Sequence, residues 1–484
     1  MLNNRRNKNQ ISLFEGVDSV AVVIYLLLVA IGFVNIVSAS YNDEIEVFSF
    51  AQNYIKQIFW MGAAFSVALI ILLLDSRYYH MYAYYAYALG ILLLVAVLLF
   101  GREVNGAKAW FEFGSVRIQP VEFAKIATAL AVARLMSNYS FSIKRMGHLV
   151  RVAFIIFLPL AIIILQNDTG SGVVLCSFIF VLYREGLNKW ICIPMIIVAV
   201  LFICSFLFTP LFLLLLLLII FTASSAMMIG SWRMHIMFLA AICLSAMMLY
   251  GLSMLSFDGA LSGYASLLIT TIVGVVVAAI YAFRKNIAAM FLTLGIFIIS
   301  VAFVPTADTI FESVLKEHQK VRILSFLGIM SDPSGADYNV NQSKIAIGSG
   351  GLFGKGFMEG TQIKYNFVPE KHTDFIFCTV GEEWGFIGSM FVLALLCALI
   401  LRLMKMGERQ EEPFSRIYSY CVAAILLFHV LVNVGMTVGL MPVMGIPLPF
   451  LSYGGSSLVA FTILVFVAIR LDASPRKGLM SAVR

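Results

Sequence analysis

Charged residues are scarce in this chain. Only 12% of its 484 residues are Asp, Glu, Lys or Arg, whereas 61% are hydrophobic. Because soluble domains carry roughly a quarter charged residues, this composition excludes an ordinary soluble enzyme and indicates a polytopic membrane protein. The net charge of +7 does not indicate nucleic-acid binding, since the basic residues are dispersed among loop ends, which is how membrane topology distributes them.

Paired cysteines and a complete phosphate loop are also absent. The glycine cluster at 348–356 resembles a phosphate loop only superficially, because Ser349 stands at its first required glycine and Gly356 at its Ser/Thr position. No nucleotide site is expected there. The cysteines lie in apolar runs without CxxC spacing, which predicts packing residues rather than a disulfide or a zinc site. They are Cys176, Cys192, Cys204, Cys243, Cys378, Cys397 and Cys421.

Long apolar runs predict an all-α fold with about fourteen transmembrane helices. The predicted spans lie near residues 19–39, 54–74, 80–100, 119–136, 149–166, 171–183, 191–207, 210–225, 235–254, 263–283, 288–305, 376–403, 417–440 and 456–471. A cytoplasmic N-terminus leaves the short outer loops poor in Lys and Arg, as the positive-inside rule demands. We therefore expect both termini in the cytoplasm and one large extracellular loop.

That loop contains the first candidate for catalysis. A polar stretch from Asp308 to Phe377 interrupts the apolar sequence and ends in PEKHTDF at 369–375. A carboxylate placed where a water-exposed segment re-enters the bilayer is partly desolvated and still reachable by a polar substrate, which are conditions that suit a general base. Asp374 is therefore the predicted catalytic residue.

Two charged residues stand at the start of a predicted span. Glu122 and Lys125 follow Pro120 and lie three residues apart, so they share one face of a helix. A charge pair inside an apolar span is costly and usually functional, although it can also be a structural ion pair that locks two helices. Trp110, just before this span, is either an interfacial aromatic residue or a platform for substrate.

A second carboxylate and a row of lysines complete the candidate binding residues. Asp168 either caps the helix that follows it or serves as an orienting group or a ligand for a divalent cation. In the long loop, exposed glycine amides and interleaved lysines suit an anionic phosphate, although a solvated loop would also be charged. These lysines are Lys344, Lys355, Lys364 and Lys371.

Three prolines prevent a regular helix between residues 441 and 457, just before the last span. Such backbone is tolerated at membrane depth only against protein or a water-filled cavity. We expect this segment to line the same outward cavity as Asp374.

These segments, in this order, resemble the SEDS family (shape, elongation, division and sporulation proteins), and within it the RodA type that determines rod shape. The motifs are QSKIAIGSGGL at 342–352, GTQ at 360–362, HTDFIF at 372–377, GEE at 381–383, PLPF at 447–450 and SYGGS at 452–456. The sequence departs from the family pattern at Val121, Asn167 and Thr169, and the last two flank Asp168.

The resemblance implies a ten-helix bundle with four inserted helices, since five apolar runs occupy 191–305 where one is expected. It divides the chain into an N-terminal membrane half (1–190), the expanded helical block (191–305), the extracellular catalytic loop (306–375) and the C-terminal helices with a cytoplasmic tail (376–484). It also implies a multi-pass protein of the bacterial cytoplasmic membrane.

For function, the resemblance implies a peptidoglycan glycosyltransferase that polymerises lipid II together with a class B penicillin-binding protein during cell elongation. Asp374 would be the catalytic carboxylate, and Trp110, Glu122, Lys125, Asp168 and Ser456 would line the cavity. Asp374 would deprotonate the acceptor hydroxyl in an inverting transfer, and Lys or Arg groups, with or without Mg²⁺ or Mn²⁺, would stabilise the departing pyrophosphate. No organic cofactor is expected. The main alternative is a lipid II flippase, which needs polar groups near the membrane midplane.

Overall fold

The computed structural model describes residues 16–41, 52–104, 106–114, 116–256, 261–314, 316–330 and 335–473. The chain divides into unit 1, Met1–Leu187 with Asp332–Arg484, and unit 2, Asn188–Ser331. In chain order the α-helices are α1 (Ser19–Ser40), α2 (Asn53–Leu73), α3 (Ser76–Phe100), α4 (Pro120–Met136), α5 (Met146–Leu165), α6 (Thr169–Val174), α7 (Phe178–Arg184), α8 (Lys189–Leu207), α9 (Pro210–Ile229), α10 (Trp232–Ser256), α11 (Gly263–Lys285), α12 (Ala288–Val314), α13 (Glu317–Phe326), α14 (Ala336–Ser349), α15 (Thr361–Lys364), α16 (Ile376–Arg409), α17 (Pro413–Thr437) and α18 (Gly455–Asp472).

The predicted all-α, multi-pass fold is confirmed. In the described part of the chain, ten helices are long and apolar enough to cross a membrane. Helices also cover the other four predicted spans, at α4, at α6 with α7, at α8 and at α12. The exact number of crossings stays a prediction.

A small antiparallel sheet between α3 and α4 was not predicted. Its strands β1 (Arg102–Val104), β2 (Ala107–Phe113) and β3 (Val116–Ile118) pair in the order β1-β2-β3. Glu112 on β2 joins the two edge strands, because it pairs with Arg102 and also with Arg117, whose Nε lies 3.2 Å from Glu112 Oε1. The edge strands β1 and β3 have only three residues each, which is too few for alternation to give a sequence signal.

The polar stretch predicted as one large loop contains several helices. In unit 2, α12 continues to Val314 and α13 follows, and in unit 1 α14 and α15 precede Asp374. Helix α14 buries Ser343 and Ala346, three residues apart, so only a narrow face of an otherwise polar helix is covered. The polar composition of this segment led to its prediction as part of a loop.

The core of unit 1 is built around α17 and α18. Within their apolar windows 78% of residues are buried, against 22% in α3 and α5. Helices α17 and α18 therefore lie inside the bundle, whereas most residues in the apolar windows of α3 and α5 are partly or fully exposed on the surface of the unit. Asp18 caps α1 at its Ala21 amide and pairs with Arg402 and Arg409 of α16, and Arg409 also pairs with Asp472 of α18. These contacts join three helix ends on one side of the unit.

Unit 2 has a hydrophobic core of its own. Fifteen buried apolar residues of α8 to α12 form one cluster, which includes Leu213, Leu218 and Phe221 on α9 and Phe297 on α12. Phe221 and Phe297 stack with their ring centroids 4.7 Å apart. This core occupies much of the helical block that the sequence predicted to be expanded.

Candidate active site

Asp374 lies half-buried in the turn that leads into α16. Its backbone carbonyl accepts a hydrogen bond from Asn433 Nδ2 of α17 at 2.8 Å, and the same nitrogen donates to the carbonyl of Ile446 at 2.7 Å. A β-carbon at Gly445 would lie 3.5 Å from Asp374 Oδ2. One buried amide therefore joins the Asp374 turn to the proline-rich segment 441–454 and places the carboxylate beside Gly445.

The same proline-rich segment is fastened to the two residues before Asp374. Ser452 Oγ donates to the carbonyl of Thr373 at 2.7 Å and accepts from the amide of Leu448 at 2.8 Å, and the Tyr453 amide donates to the carbonyl of His372 at 2.8 Å. Three successive carbonyls, at 372, 373 and 374, are thus fixed by partners near the far end of the sequence. The expectation that this segment lies at the Asp374 cavity agrees with these contacts.

The predicted pair of charges on α4 exists and is buried. Lys125 Nζ lies 2.8 Å from Glu122 Oε1 and 2.9 Å from His429 Nε2, and both charged side chains are at most 2% exposed. His429 Nδ1 lies 3.1 Å from the carbonyl of Pro447. The ring of Phe461 lies under the ammonium, with its centroid 5.5 Å from Nζ. The pair therefore connects α4, through His429 of α17, to the proline-rich segment. This arrangement fits the alternative of a structural ion pair that locks helices together. Contact of the pair with substrate stays a prediction.

Asp168 is a helix cap in this structure. Its Oδ1 accepts from the Ser171 amide at 3.2 Å, and its Oδ2 accepts from Gln119 Nε2 at 2.8 Å. The Gln119 amide in turn donates to Ser456 Oγ at 3.4 Å. A β-carbon at Gly170 would lie 2.0 Å from the carbonyl of Met444, so the start of α6 also contacts the proline-rich segment. Asp168 and Ser456 are thus brought together by Gln119, and their binding roles stay predictions.

Trp110 is half-buried in the middle strand of the small sheet, opposite Arg102. On the same strand, the Lys108 amide donates to the carbonyl of Gln166 at 2.9 Å. This bond places the sheet beside the residues that precede Asp168. A role of Trp110 as a substrate platform stays a prediction.

The predicted phosphate-binding lysines differ in their surroundings. Lys355 Nζ lies 2.6 Å from Glu382 Oε1 in an ion pair, and Lys371 Nζ donates to the carbonyl of Ile363. Burial lowers the pKa of Lys371. Lys344 is exposed on α14, and its side chain lies against Gly439, where a β-carbon would approach Nζ to 2.5 Å. Of the four predicted lysines, Lys344 and Lys364 are exposed, Lys355 is partly buried and Lys371 is buried.

The glycine cluster packs closely against α16, and its predicted phosphate-binding role stays a prediction. Helix α16 is broken at Gly385, where φ is 64°. The amides of Lys355 and Gly356 donate to the carbonyls of Glu382 and Glu383 at 3.0 and 3.1 Å, so they are already used. A β-carbon at Gly354 would lie 2.1 Å from the Glu383 carbonyl. The glycines are needed because two backbones approach closely there.

Glu382 organises the loop that carries this cluster. Its carboxylate is fully buried and accepts from the amides of Gln362 and Ile363 at 2.9 and 3.0 Å, as well as from Lys355. Since the Ile363 carbonyl receives Lys371 Nζ, this network extends to the residue three positions before Asp374. It holds the segment of unit 1 between α14 and α16 to α16.

Three positioning residues were missed by sequence reasoning. Gln119, His429 and Asn433 make the contacts described above, and none was among the predicted site residues. His429 and Asn433 are polar residues one turn apart inside a predicted span, and intramembrane polar residues are candidates for function by default. That signal could have identified both.

A metal site made by the protein alone is not supported. Within the described residues, no group of three or more His, Cys, Asp or Glu side chains converges as a metal ion would require. A requirement for Mg²⁺ or Mn²⁺ therefore stays a prediction.

Comparison with known proteins gives consistent matches. The sequence model of the family described as "Cell cycle protein" (FtsW/RodA/SpoVE) matches residues 18–217 and 201–477. The chain is 34% identical over 461 residues to the peptidoglycan glycosyltransferase RodA of Treponema pallidum, covering 95% of this chain and 98% of that protein. It is 32% identical over 390 residues to the peptidoglycan glycosyltransferase MrdB of Escherichia coli K12, covering 80% of this chain and 76% of that protein.

Two solved structures share the fold. A chain from a study of a peptidoglycan synthase complex that coordinates polymerization and crosslinking aligns with a TM-score of 0.59 at 23% identity, covering 96% of this chain and 99% of that chain. The rod shape determining protein RodA of Thermus thermophilus aligns with a TM-score of 0.54 at 22% identity, covering 96% of this chain and 98% of that chain.

Proposed function

The chain belongs to the FtsW/RodA/SpoVE family, which its motifs predicted, and we propose that it is a peptidoglycan glycosyltransferase that polymerises lipid II with Asp374 as the general base. The observation that carries the proposal is the fixed backbone of residues 372–374. Three hydrogen bonds hold these carbonyls, while the Asp374 side chain stays half-buried beside Gly445. A base whose backbone is held this way keeps a fixed position relative to the cavity.

The reaction is an inverting glycosyl transfer. Asp374 accepts the proton of the C4 hydroxyl of an acceptor N-acetylglucosamine as that oxygen attacks the anomeric carbon of a donor N-acetylmuramic acid, and undecaprenyl pyrophosphate leaves. One carboxylate suffices, because pyrophosphate is already a good leaving group and needs no general acid, unlike the alcohol that a glycosidase expels. Exposed cationic groups such as Lys344 would stabilise the charge that grows on the pyrophosphate.

The cellular setting follows from the same proposal. The protein is a multi-pass membrane protein, and we place it in the bacterial cytoplasmic membrane with both termini inside and Asp374 outside. On the outer face the substrate must bring its own activated bond, which a lipid-linked pyrophosphate does. A class B penicillin-binding protein is the proposed partner, acting with this chain in cell elongation.

A lipid II flippase is the competing function. It would need polar groups near the membrane midplane with access from both sides. The buried Glu122–Lys125 pair stands at the start of α4 and is engaged by His429, which supports a structural lock. The relatives at 34% and 32% identity are named glycosyltransferases, which favours the enzyme.

Polymerisation of lipid II by the purified protein tests the proposal. Asp374→Ala and Asp374→Asn should both yield no glycan polymer, because neither side chain can accept the proton. Glu359→Gln is the matched control, since Glu359 is an exposed carboxylate in the same loop region. It should polymerise like the wild type, with or without moenomycin. Wild-type polymer formation by Asp374→Ala at equal protein would rule out the base assignment, and absence of polymer with transport of lipid II would favour the flippase.

A further inference from the structure

A charged cavity lies at the opposite end of α16 from Asp374. Asp374 stands just before α16, whereas the cavity is formed where α7 ends, where α16 ends and where α17 begins. Its volume is about 430 Å³. The lining residues are Arg184, Glu185, Gly186, Glu408, Gln410, Arg416 and Tyr420. Nothing in the proposed reaction uses this site.

The cavity wall carries two positive and two negative charges. Arg416 binds Glu185 through two nitrogens, with Nη2 2.8 Å from Oε2 and Nε 3.2 Å from Oε1, and Arg184 pairs with Glu408. A guanidinium has five N–H donors, so each arginine retains donors for a further acceptor. Because the four charges sum to zero, an anion alone would meet both carboxylates at close range, and a cation alone would meet both guanidinium groups.

An aromatic ring gives this wall a defined shape. Arg184 lies over the ring of Tyr420, with its guanidinium carbon 5.6 Å from the ring centroid, and the Tyr420 hydroxyl bonds to Glu408. The ring fits because residue 407 is glycine, where a β-carbon would lie 2.8 Å from the ring. Tyr420 thus holds the Arg184–Glu408 pair against the end of α16, which is more order than isolated surface ion pairs usually have.

The cavity lies where lipid headgroups lie. It is bordered by the ends of apolar helices, and membrane helices end at the headgroup level. Apolar side chains one or two turns back along α7 and α16 are exposed on the unit surface, namely Phe180, Leu401 and Met404. A lipid whose headgroup enters the cavity would have its acyl chains beside these residues.

We propose that this cavity binds the headgroup of a zwitterionic phospholipid that carries a primary ammonium group, such as phosphatidylethanolamine. The phosphate accepts N–H bonds from Arg184 and Arg416, and the ammonium donates to the carboxylates of Glu408 and Glu185. A choline headgroup has no N–H to donate, and a glycerol headgroup leaves the carboxylates facing a phosphate. The site therefore discriminates among lipids of similar size by hydrogen-bond donors and charge.

Lipid retention by the full-length purified protein tests this proposal. The protein in detergent is mixed with phosphatidylethanolamine, phosphatidylcholine or phosphatidylglycerol, and bound lipid is counted by native mass spectrometry. Wild type should retain phosphatidylethanolamine at lower concentration than the other two. Arg416→Gln should weaken that binding about tenfold, as expected for the loss of one charge-assisted hydrogen bond. Lys405→Gln is the matched control, since it removes an exposed positive charge one turn from Glu408 that does not line the cavity.

The outcomes separate cleanly. Selective retention of phosphatidylethanolamine that Arg416→Gln weakens and Lys405→Gln does not would support the site. Equal retention of all three lipids, preference for phosphatidylglycerol, or equal loss in both variants would overturn it. If Arg416→Gln fails to fold, Glu408→Gln replaces it, because the Glu408 side chain is 53% exposed and contributes little to packing. The control is then Glu411→Gln, an exposed carboxylate outside the cavity.

Discussion

The side-chain nitrogen Nδ2 of Asn433 donates hydrogen bonds to the backbone carbonyls of both Asp374 and Ile446, at 2.8 and 2.7 Å. This side chain belongs to α17, a buried helix of unit 1, and it connects the Asp374 turn to the proline-rich segment. The position of the proposed base therefore depends on a residue far from it in the chain.

Replacing Asn433 by alanine should strongly reduce the rate of lipid II polymerisation while most of the protein still folds. The carbonyls of Asp374 and Ile446 lose this donor, and a shift of about 1 Å in a catalytic group costs about 100-fold in rate. Steady-state kinetics should show a fall in kcat. Ser419→Ala is the control, because Ser419 is buried on the same helix but bonds only to the Ser415 carbonyl. Equal activity of both variants would contradict a positioning role for Asn433.

Breaking the Glu122–Lys125 pair should destabilise the protein strongly. Removing one partner leaves an uncompensated buried charge, which costs about 3–5 kcal/mol. Glu122→Ala and Lys125→Ala should each lower the thermal unfolding temperature more than a double change to apolar residues of similar volume. Simple additivity in the double-mutant cycle would argue against a coupled pair.

Gly32→Ala should displace the proline-rich segment. A β-carbon there would lie 2.4 Å from the Phe450 carbonyl oxygen and 2.8 Å from Leu451 Cα, and both are backbone atoms that cannot move alone. We expect a loss of about 1–3 kcal/mol in unfolding free energy, together with reduced polymerisation. Gly62→Ala on α2 is the control, since nothing lies within 4 Å of its added β-carbon. A thermal unfolding temperature for Gly32→Ala equal to that of Gly62→Ala would refute the close approach.

Acidification should destabilise the turn at residues 372–374 through His372. Burial lowers the pKa of His372 below its ordinary value of 6.5, so the unfolded chain binds the proton more readily than the folded one. The stability that His372 contributes is therefore present above about pH 6.5 and is lost as the pH falls through the lower folded-state pKa. Thermal unfolding at about pH 7.5 and about pH 5.5 should show a smaller acid-induced loss for His372→Gln than for wild type. Identical losses would exclude this residue as a contributor.

Much of the membrane architecture could be read from the sequence. Every predicted span overlaps a helix, because a bilayer core requires each spanning segment to satisfy its own backbone hydrogen bonds. Local composition is then sufficient to locate the helices. The spacing of Glu122 and Lys125 was also sufficient to predict that they share a helix face, and the structure pairs them at 2.8 Å.

Other features could not be read correctly from local sequence. The sequence suggested phosphate for the glycine cluster and Lys355 but did not indicate their partners within the protein. Two amides of the cluster bond to carbonyls of α16, and Lys355 pairs with the buried carboxylate of Glu382. The polar segment before Asp374 looked irregular and contains α14 and α15. In each case the structure of the segment depends on contacts with residues elsewhere in the chain, and the periodicity of the segment itself does not predict such contacts.

The sequence by itself determined the membrane class, the positions of the apolar helices and the family, because these depend on local hydrophobicity and on contiguous motifs. Only the tertiary structure decided that His429 reaches Lys125 and that Asn433 reaches the Asp374 carbonyl, contacts that join residues 304 and 59 positions apart. The physical reason is that helix periodicity fixes which face a side chain occupies, whereas the packing of one helix against another decides which face it meets.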